Sequence, residues 1–300
     1  MTADTLNNLA ALYDEQGKYE EAESYYRRAY AIYQRAFGEQ HPRSAASLNN
    51  LAELHRSLGK YDQAAPLYTQ ALAVYEKIFG LEHPDTTAIL NNLALLYRKQ
   101  GNYAQAEQFC VQVLSIRERT LGKTHPRTAL SMHNLADVYR DQEKLEQAEK
   151  LYKQAIEIWI QTVESEHLML ANAYNNLALL YVQQGKYEQA KALYLQAFPI
   201  MIKTENLEHP NIVTLVNNYL TLLEKMGHKE IFLPDGLREH YPSLSQAREH
   251  ENETKPLQSP QAETILREGE RYLLVQTTDQ IGDGRQTEVY ATETEETELL

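Results

Sequence analysis

The sequence predicts an all-α protein, an α-solenoid of stacked helical hairpins, and two observations support this. The first is a repeat of 42 residues, visible in Asn-Asn pairs, with His133-Asn134 in the remaining register position. The second is apolar spacing of helical period within each repeat. One such unit cannot bury its apolar face alone, so we expect neighbouring units to stack into a continuous core. The pairs are Asn7-Asn8, Asn49-Asn50, Asn91-Asn92, Asn175-Asn176 and Asn217-Asn218.

Two further repeated features divide each unit into two helices. A glycine in the middle of the unit suits the left-handed turn that ends a helix. A proline after histidine suits the first turn of the next helix. The glycines are Gly17, Gly59, Gly101, Gly185 and Gly227, and the pairs are His41-Pro42, His83-Pro84, His125-Pro126 and His209-Pro210.

The first unit shows the two predicted helices. Its first apolar set follows the i, i+3, i+4, i+7 pattern of one helix face. Its second set contains alanines at the points where two helix backbones approach closely. The first set is Leu6, Leu9, Ala10 and Tyr13, and the second is Tyr19, Ala22, Tyr26, Ala29 and Tyr33.

These residues resemble the tetratricopeptide repeat family. The pattern L-A-x-x-Y, G-x-Y-x-x-A, Y-x-x-A is present in the second unit as Leu51, Ala52, Gly59, Tyr61, Ala64, Tyr68 and Ala71, with His55 at the first tyrosine place. The ordinary repeat has 34 residues. The longer unit, with L-N-N-L-A and G-x-x-H-P, is similar to the kinesin light chain type. The resemblance covers residues 1–227, as five hairpins and a final first helix, and implies a right-handed solenoid with a concave groove.

In this family the first helices line the groove, which implies a set of binding residues. Counting i, i+4 and i+7 from the first asparagine gives Asn7-Ala11-Asp14, Asn49-Glu53-Arg56, Asn91-Leu95-Arg98, His133-Asp137-Arg140 and Asn175-Leu179-Val182. An asparagine offers a donor and an acceptor, and can hold a peptide by its backbone. The expected groove residues are Asn7, Asn49, Asn91, His133, Asn175, Asn217, Arg56, Arg98, Lys99, Arg140, Leu95, Leu179 and Val182.

Two alternatives stay open for this groove. The second asparagine of each pair either contacts ligand or bonds the neighbouring hairpin. Arg56, Arg98 and Arg140, with Lys99, either place positive charge along the groove or form a solvated face. Kinesin light chains use a similar groove for acidic peptide motifs, so the resemblance implies an extended, acidic protein segment as partner.

Charge and composition exclude other partner classes. The formal net charge is −13; residues 1–229 contain 23 Lys and Arg against 26 Asp and Glu, whereas residues 230–300 contain 6 against 16. The chain therefore lacks the cationic footprint that nucleic acid needs. No apolar run approaches the roughly 20 residues of a membrane span. A single cysteine, Cys110, and the absence of a signal peptide predict a cytoplasmic protein in which Cys110 is a small buried hydrophobe.

The sequence predicts no catalytic activity, cofactor or metal. No serine nucleophile elbow, H-E-x-x-H motif or complete nucleotide loop occurs in it. Gly122-Lys123-Thr124 imitates the end of a phosphate-binding loop, but Arg117 stands where its first glycine belongs. The histidines of the His-Pro pairs lie in separate loops, and one ion needs ligands at about 2 Å. They are expected to be loop and cap residues.

The fourth unit departs most from the pattern. Glu143 replaces the turn glycine, Leu145 the tyrosine, Glu164 the second glycine and Leu168 the proline. A residue other than glycine at a left-handed turn costs on the order of 1 kcal/mol. We therefore expect the softest joint of the solenoid between residues 140 and 170.

The C-terminal part has a different character. Residues 228–248, including Ile231 to Pro234, are predicted to cap the last helix, and residues 249–269 to form a linker. Residues 270–300 form an acidic tail with short β-like segments at 272–275 and 289–290. This tail either contacts the groove of its own chain or is simply solvated.

A second function remains open because of the tail. Gly282, Gly284 and Val289 resemble the glycine-rich loop that opens a protein kinase domain, although Thr287 stands at the third glycine. The sequence ends at Leu300, before a strand lysine could follow. The chain would then be a targeting or regulatory fragment of a kinase-related signalling protein. A third hypothesis is a structural scaffold that self-associates through its N-terminal end.

Overall fold

A computed structural model describes residues 2–162, 168–204 and 210–227 and three strands at 262–267, 270–277 and 286–292. The chain divides into two compact units, Met1–Val163 and Glu164–Leu300. Unit one contains eight helices within its described residues. They are α1 (Ala3–Glu15), α2 (Tyr19–Phe37), α3 (Pro42–Ser57), α4 (Tyr61–Phe79), α5 (Pro84–Lys99), α6 (Tyr103–Leu121), α7 (Pro126–Asp141) and α8 (Leu145–Thr162).

The helices of unit one form four hairpins, which we number repeats 1 to 4. Each odd-numbered helix packs against the helix that follows it, and α2, α4 and α6 also pack against the first helix of the next repeat. The hairpins therefore share one core along the unit. The predicted all-α fold of stacked helical hairpins is confirmed.

Small and aromatic residues alternate in this core for a steric reason. An alanine at one position of each second helix is fully buried, so the two helix backbones of the hairpin can approach. One turn later the chain has a tyrosine in repeats 1, 2 and 4 and Cys110 in repeat 3, all buried. Burial raises the pKa of the Cys110 thiol to about 12, so Cys110 is an uncharged core residue, as predicted. The alanines are Ala22, Ala64, Ala106 and Ala148.

The His-Pro pairs are helix N-caps. His41, His83 and His125 precede the prolines that begin α3, α5 and α7. Each imidazole Nδ1 accepts a hydrogen bond from the backbone N–H two residues later, at 3.0 to 3.3 Å. The rings of His41 and His83 also stack on Phe37 and Phe79 with centroids 4.5 Å apart. The interpretation of these histidines as loop and cap residues is confirmed.

The turn inside each hairpin requires a left-handed residue. Gly17, Gly59 and Gly101 have φ between 69° and 73°, and Glu143 has φ 62° at the same place in repeat 4. Within the described residues, Glu143 is the one residue other than glycine with positive φ. Its side chain makes this conformation cost about 1 kcal/mol relative to glycine.

Unit two contains helices α9 (Leu168–Gln183), α10 (Tyr187–Thr204) and α11 (Pro210–Lys225) and strands β1 (Ala262–Arg267), β2 (Glu270–Thr277) and β3 (Gln286–Thr292). Helix α10 packs against both α9 and α11. The strands form an antiparallel sheet in the order β1-β2-β3, with Tyr272 opposite Ala291. No described helix combines the length and the apolar run that crossing a membrane requires.

The strands fall on two of the predicted C-terminal segments. The two β-like segments lie within β2 and β3. Strand β1 lies within the linker predicted at 249–269, after Pro256 and Pro260 on which that prediction rested. The cap at 228–248, the remainder of the linker, Glu164, Gly282, Gly284 and the acidic run at 293–300 lie outside the described residues.

Candidate functional site

The candidate site of unit one is the surface formed by the first helices of its repeats, which we call the asparagine face. Helices α1, α3 and α5 place Asn7, Asn49 and Asn91 at the same position of successive hairpins, and all three side chains are half-buried. Leu95 follows Asn91 by one helical turn and is also half-buried. Because residues i and i+4 lie on one helix face, Asn91 and Leu95 present a polar and an apolar group side by side.

The second asparagine of a pair bonds the neighbouring hairpin. In unit one, Asn92 Nδ2 donates to Asn49 Oδ1 at 3.4 Å, and Asn134 Nδ2 donates to Asn91 Oδ1 at 2.8 Å. Of the two roles left open by the sequence, the structure therefore gives Asn92 and Asn134 the inter-repeat role. Asn7 differs, because its Nδ2 donates to Ser47 Oγ at 3.2 Å.

The first asparagine keeps a donor group after this bond is made. Among the residues described by the structure, the Nδ2 atoms of Asn49 and Asn91 donate to no protein group. Neither Nδ2 atom is fully buried, so solvent reaches both of them. The asparagine face therefore offers two accessible, uncommitted donors one repeat apart.

The arginines of repeats 3 and 4 are already paired. Arg98 contacts Asp137 at 2.7 Å and Asp141 at 2.6 Å, and Arg140 lies 3.4 Å from Asp141. These guanidinium groups therefore do not supply the unbalanced positive charge predicted from the sequence. The prediction counted positions along single helices, and so it did not consider that Asp137 and Asp141 of α7 contact Arg98 of α5.

The electrostatics of this cluster follow from its burial. Burial alone would raise the pKa of Asp137, but the interactions with His133, Arg98 and Arg140 outweigh burial and lower that pKa. Tyr152 also donates a hydrogen bond to Asp137. Asp137 is therefore an ionised, fully engaged group that joins repeats 3 and 4.

Two other predicted cations have different surroundings. Arg56 pairs with Glu53 on its own helix, and Tyr68 donates to the other oxygen of Glu53 at 2.5 Å. Lys99, at the end of α5, is exposed and forms no ion pair with the described part of the chain. Lys99 is thus the cation of the predicted set that is available to a ligand.

His133 does not join the asparagine face. Its side chain is 8% exposed, and its ring packs within 5.3 Å of Tyr152 and 5.7 Å of Trp159. Burial lowers the pKa of His133, and the negative charge of Asp137 acts against that shift. The groove role predicted for His133 from its register position is not supported, because the large rings of α8 draw the imidazole into the core.

The predicted residues of unit two are placed as follows. Asn218 Nδ2 donates to Asn175 Oδ1 at 2.9 Å, the same bond as in unit one. Asn175 Nδ2 donates to Asn176 Oδ1 at 3.3 Å. Leu179, Val182 and Asn217 are half-buried on α9 and α11.

The sequence prediction missed the bonds between tyrosines and acids inside the hairpins. Tyr68 donates to Glu53, and Tyr152 to Asp137, from the same repeat position. The signal was available, since repeats 2 and 4 are the units of this face that have an acid four residues after the first position of the pair, which is Asn49 in repeat 2 and His133 in repeat 4. No cluster of His, Cys, Asp or Glu suited to a metal ion occurs within the described residues.

Comparisons with known proteins agree with this geometry. A family model described as tetratricopeptide repeat matches residues 1–77, 85–161, 131–203 and 169–230, and a second of the same description matches 49–118. No match is found among curated protein sequences.

Solved structures give the same result. A Podosopora anserina protein named as a kinesin light chain, with nearly identical TPR-like repeats, is 29% identical with a TM-score of 0.57, covering 68% of this chain and 96% of its own. BtubC (BKLC) from P. vanneervenii is 21% identical over 86% of this chain and 98% of its own, with a TM-score of 0.57. The apo form of RapI is 15% identical over 75% and 84%, with a TM-score of 0.59.

The similarity to BtubC and to RapI shows the fold alone. The family models match most of the helical region. The resemblance to repeats of the kinesin light chain type is confirmed by the Podosopora anserina neighbour. Tetratricopeptide repeats are non-catalytic scaffolds typical of protein–protein interaction. The chain belongs to the tetratricopeptide repeat family.

Proposed function

We propose that this protein is an interaction module that binds an extended segment of a partner protein across the asparagine face of unit one. The observation behind this proposal is the pair of accessible, uncommitted amide donors on Asn49 and Asn91. A polar group that is half-buried and has no protein partner is satisfied by water or by a ligand. Two such groups at equivalent places of adjacent repeats suit a ligand that runs along the repeats.

Two kinds of contact would contribute to binding in the centre of the face. The amides of Asn49 and Asn91 would hydrogen-bond the ligand main chain, each contributing about 1 kcal/mol. Leu95, one helical turn after Asn91 on α5, would give an apolar contact. Because such contacts read little of the ligand sequence, we expect broad specificity in the centre of the face.

The preference of the asparagine face for acidic ligands would depend on fewer cations than the sequence implied. Since Arg98 and Arg140 are neutralised by Asp137 and Asp141, Lys99 remains the exposed cation of the predicted set, eight residues after Asn91 at the end of α5. We therefore propose that one acidic ligand side chain near Lys99 strengthens binding. An exposed pair of this kind contributes at most about 1 kcal/mol and weakens in salt.

The test is binding of the full chain to an array of 12-residue peptides at low and moderate salt. Asn91→Ala should weaken every peptide that binds, whereas Lys99→Ala should weaken acidic peptides and remove their salt dependence. Asn8→Ala is the matched control, because Asn8 is exposed and lies in the same L-N-N-L-A sequence. Binding that is unchanged in Asn91→Ala would place the interaction on another surface.

The acidic run at 293–300 could compete with such a ligand. A tethered segment reaches an effective concentration on the order of millimolar, so even weak contacts near Lys99 would reduce ligand binding. Deleting residues 293–300 leaves β1, β2 and β3 intact and should then raise peptide affinity. Equal affinity with and without this run would show that it only solvates the chain.

A second candidate function is targeting of a kinase-related domain. One observation favours it: β2 and β3 pair as an antiparallel hairpin on either side of the segment that contains Gly282 and Gly284. A kinase glycine-rich loop likewise joins two antiparallel strands. The test is the reading frame downstream of residue 300. An in-frame strand with lysine shortly after that point would support this function, and an unrelated sequence would remove it.

Self-association and a cytoplasmic location remain predictions.

A further inference from the structure

We infer that Asn92 and Asn134 set the polarity of the asparagine face, so that Asn49 and Asn91 present donors alone and the ligand must present acceptors there. This inference rests on the proposed function and adds the chemistry of the ligand. It also gives the second asparagine of each pair a role beyond stability, as a positioning residue for the first. The geometry behind it is the direction of the two inter-repeat bonds.

An asparagine side chain has a carbonyl end that accepts and an NH2 end that donates. Asn134 Nδ2 lies 2.8 Å from Asn91 Oδ1, so the carbonyl end of Asn91 points to repeat 4. Rotating the Asn91 amide by half a turn would place its NH2 against the NH2 of Asn134. Two donors would then face each other without an acceptor, and the half-buried site penalises such a contact. Turning both amides would restore a bond, but the bond has one direction throughout: Asn92 and Asn134 donate to Asn49 and Asn91, and Asn218 donates to Asn175 in the same way. The NH2 of Asn91 is therefore held toward solvent.

The same reasoning selects which repeats contribute. Asn92 holds Asn49 in the same way at 3.4 Å. The Asn7 amide is taken by Ser47, and His133 is buried, so neither adds a donor of this kind. The donor pair in unit one is therefore Asn49 and Asn91.

Two donors one repeat apart fit the main chain of an extended peptide. Carbonyl groups on one edge of an extended chain recur at every second residue, and they are acceptors whatever the side chains are. Ligand carboxylates or side-chain amides could meet the same donors. The shared chemistry is an acceptor oxygen, and the experiment separates the main-chain source from the side-chain source.

The first arm needs no ligand. Proton exchange of the side-chain NH2 groups is measured by NMR on the full chain. The NH2 protons of Asn92 and Asn134 should exchange more slowly than those of exposed Asn8, whereas those of Asn49 and Asn91 should exchange nearly as fast as Asn8. The reverse order, with Asn91 slowed and Asn134 fast, would overturn the inference even if peptides bind.

The second arm uses the tightest 12-residue peptide from the array. N-methylation of its central residues removes main-chain donors and should leave Kd within about twofold. Ester replacement of the same bonds weakens main-chain acceptors and should raise Kd about fivefold per bond. If Glu→Gln or Asp→Asn changes in the peptide have that effect and esters do not, side chains are the source and the main-chain assignment fails.

The third arm exchanges the polarity. The carboxylate introduced by Asn134→Asp can accept but not donate, so the Asn91 amide should turn its NH2 toward that carboxylate and its oxygen toward the ligand. The peptide should then become sensitive to N-methylation, which a purely structural role of Asn134 would not cause. Asn92→Asp repeats the test on Asn49, and Asn8→Asp controls for added charge. Unchanged N-methyl sensitivity in both variants would contradict the inference.

Discussion

The joint between repeats 1 and 2 and the joint between repeats 3 and 4 use the same structural position in opposite ways. Arg98 of α5 reaches across to Asp137 at 2.7 Å and to Asp141 at 2.6 Å. The equivalent residue of α1 is Asp14. Its pKa is raised by burial and then by the like charge of Glu53. One joint is therefore closed by a salt bridge and the other contains a repulsion.

This difference shows that different residues determine the packing inside a hairpin and the contact between neighbouring hairpins. The residues repeated in every unit, such as the alanines of the second helices, give four hairpins the same packing. The residues that vary between units decide how firmly each hairpin is joined to the next. The stability of the array should accordingly differ from joint to joint.

Breaking the salt bridge should have the largest effect. Arg98→Ala leaves Asp137, which is 10% exposed, without its closest cation. Removing one partner of a buried pair costs about 3 kcal/mol, because Asp137 then relies on the longer contact with Arg140 at 3.9 Å and on the hydrogen bond from Tyr152. Urea denaturation should show this loss, and amide hydrogen exchange should become faster in α5 to α8.

Arg56→Ala is the matched control, since Arg56 occupies the same place in repeat 2 and pairs with a more exposed acid. It should cost less than about 1 kcal/mol. The pKa of Asp137 is below its ordinary value of about 3.9. The pair of Arg98 and Asp137 should therefore stabilise the fold fully above about pH 3.9, and this stabilisation should weaken as the pH falls toward the folded pKa of Asp137. Equal losses in both variants would show that Arg98 acts through packing rather than through charge.

The turn of repeat 4 should give an intermediate effect. Glu143→Gly relieves a positive φ of 62° at a residue with a Cβ, and should stabilise unit one by about 1 kcal/mol. The reverse change, Gly59→Glu in repeat 2, should destabilise by a similar amount. Thermal unfolding of the two variants measures both.

The same turn is the basis for the soft joint predicted between residues 140 and 170. In the starting protein, amide exchange should be fastest there among the helical segments, and Glu143→Gly should slow it. The salt bridge from Arg98 to Asp141, at the beginning of this segment, should instead slow the exchange. Exchange that is slowest over these residues would therefore show that charge pairing outweighs the strained turn.

Much of the fold could be predicted from the sequence, because the repeat displays each structural requirement several times. Gly17 and its equivalents marked the turns, and the His-Pro pairs marked the helix starts. The burial of Ala22 and Tyr26 followed from helical spacing. Local rules of this kind need only the residues of one hairpin.

The candidate site was less predictable, because it depends on contacts between hairpins. Asn49 and Asn91 are half-buried at equivalent positions of α3 and α5, and their role in binding stays a prediction. Arg98 looked like a free cation in its own helix, and its acids stand 39 and 43 residues later. His133 kept the register of an asparagine but is buried against Trp159, which no other described repeat has. Spacing along one helix contains no information on either contact.

Removing the repulsion at the first joint should give the smallest effect and completes the comparison. Asp14→Asn abolishes the negative charge next to Glu53, and should stabilise the protein at pH 7 by a few tenths of a kcal/mol, as expected for half-exposed charges. Because the folded pKa of Asp14 is raised, its ionisation destabilises the fold above that pKa, and the penalty disappears as the pH falls and Asp14 becomes protonated. The stability difference between Asp14→Asn and the starting protein should therefore shrink between pH 7 and about pH 4. Glu20→Gln is the control, since Glu20 is an exposed acid in the first turn of α2 and is not among the charges that raise the pKa of Asp14. Urea midpoints measured at several pH values decide the matter, and a difference that stays constant with pH would mean that Asp14 affects the joint by its shape and not by its charge.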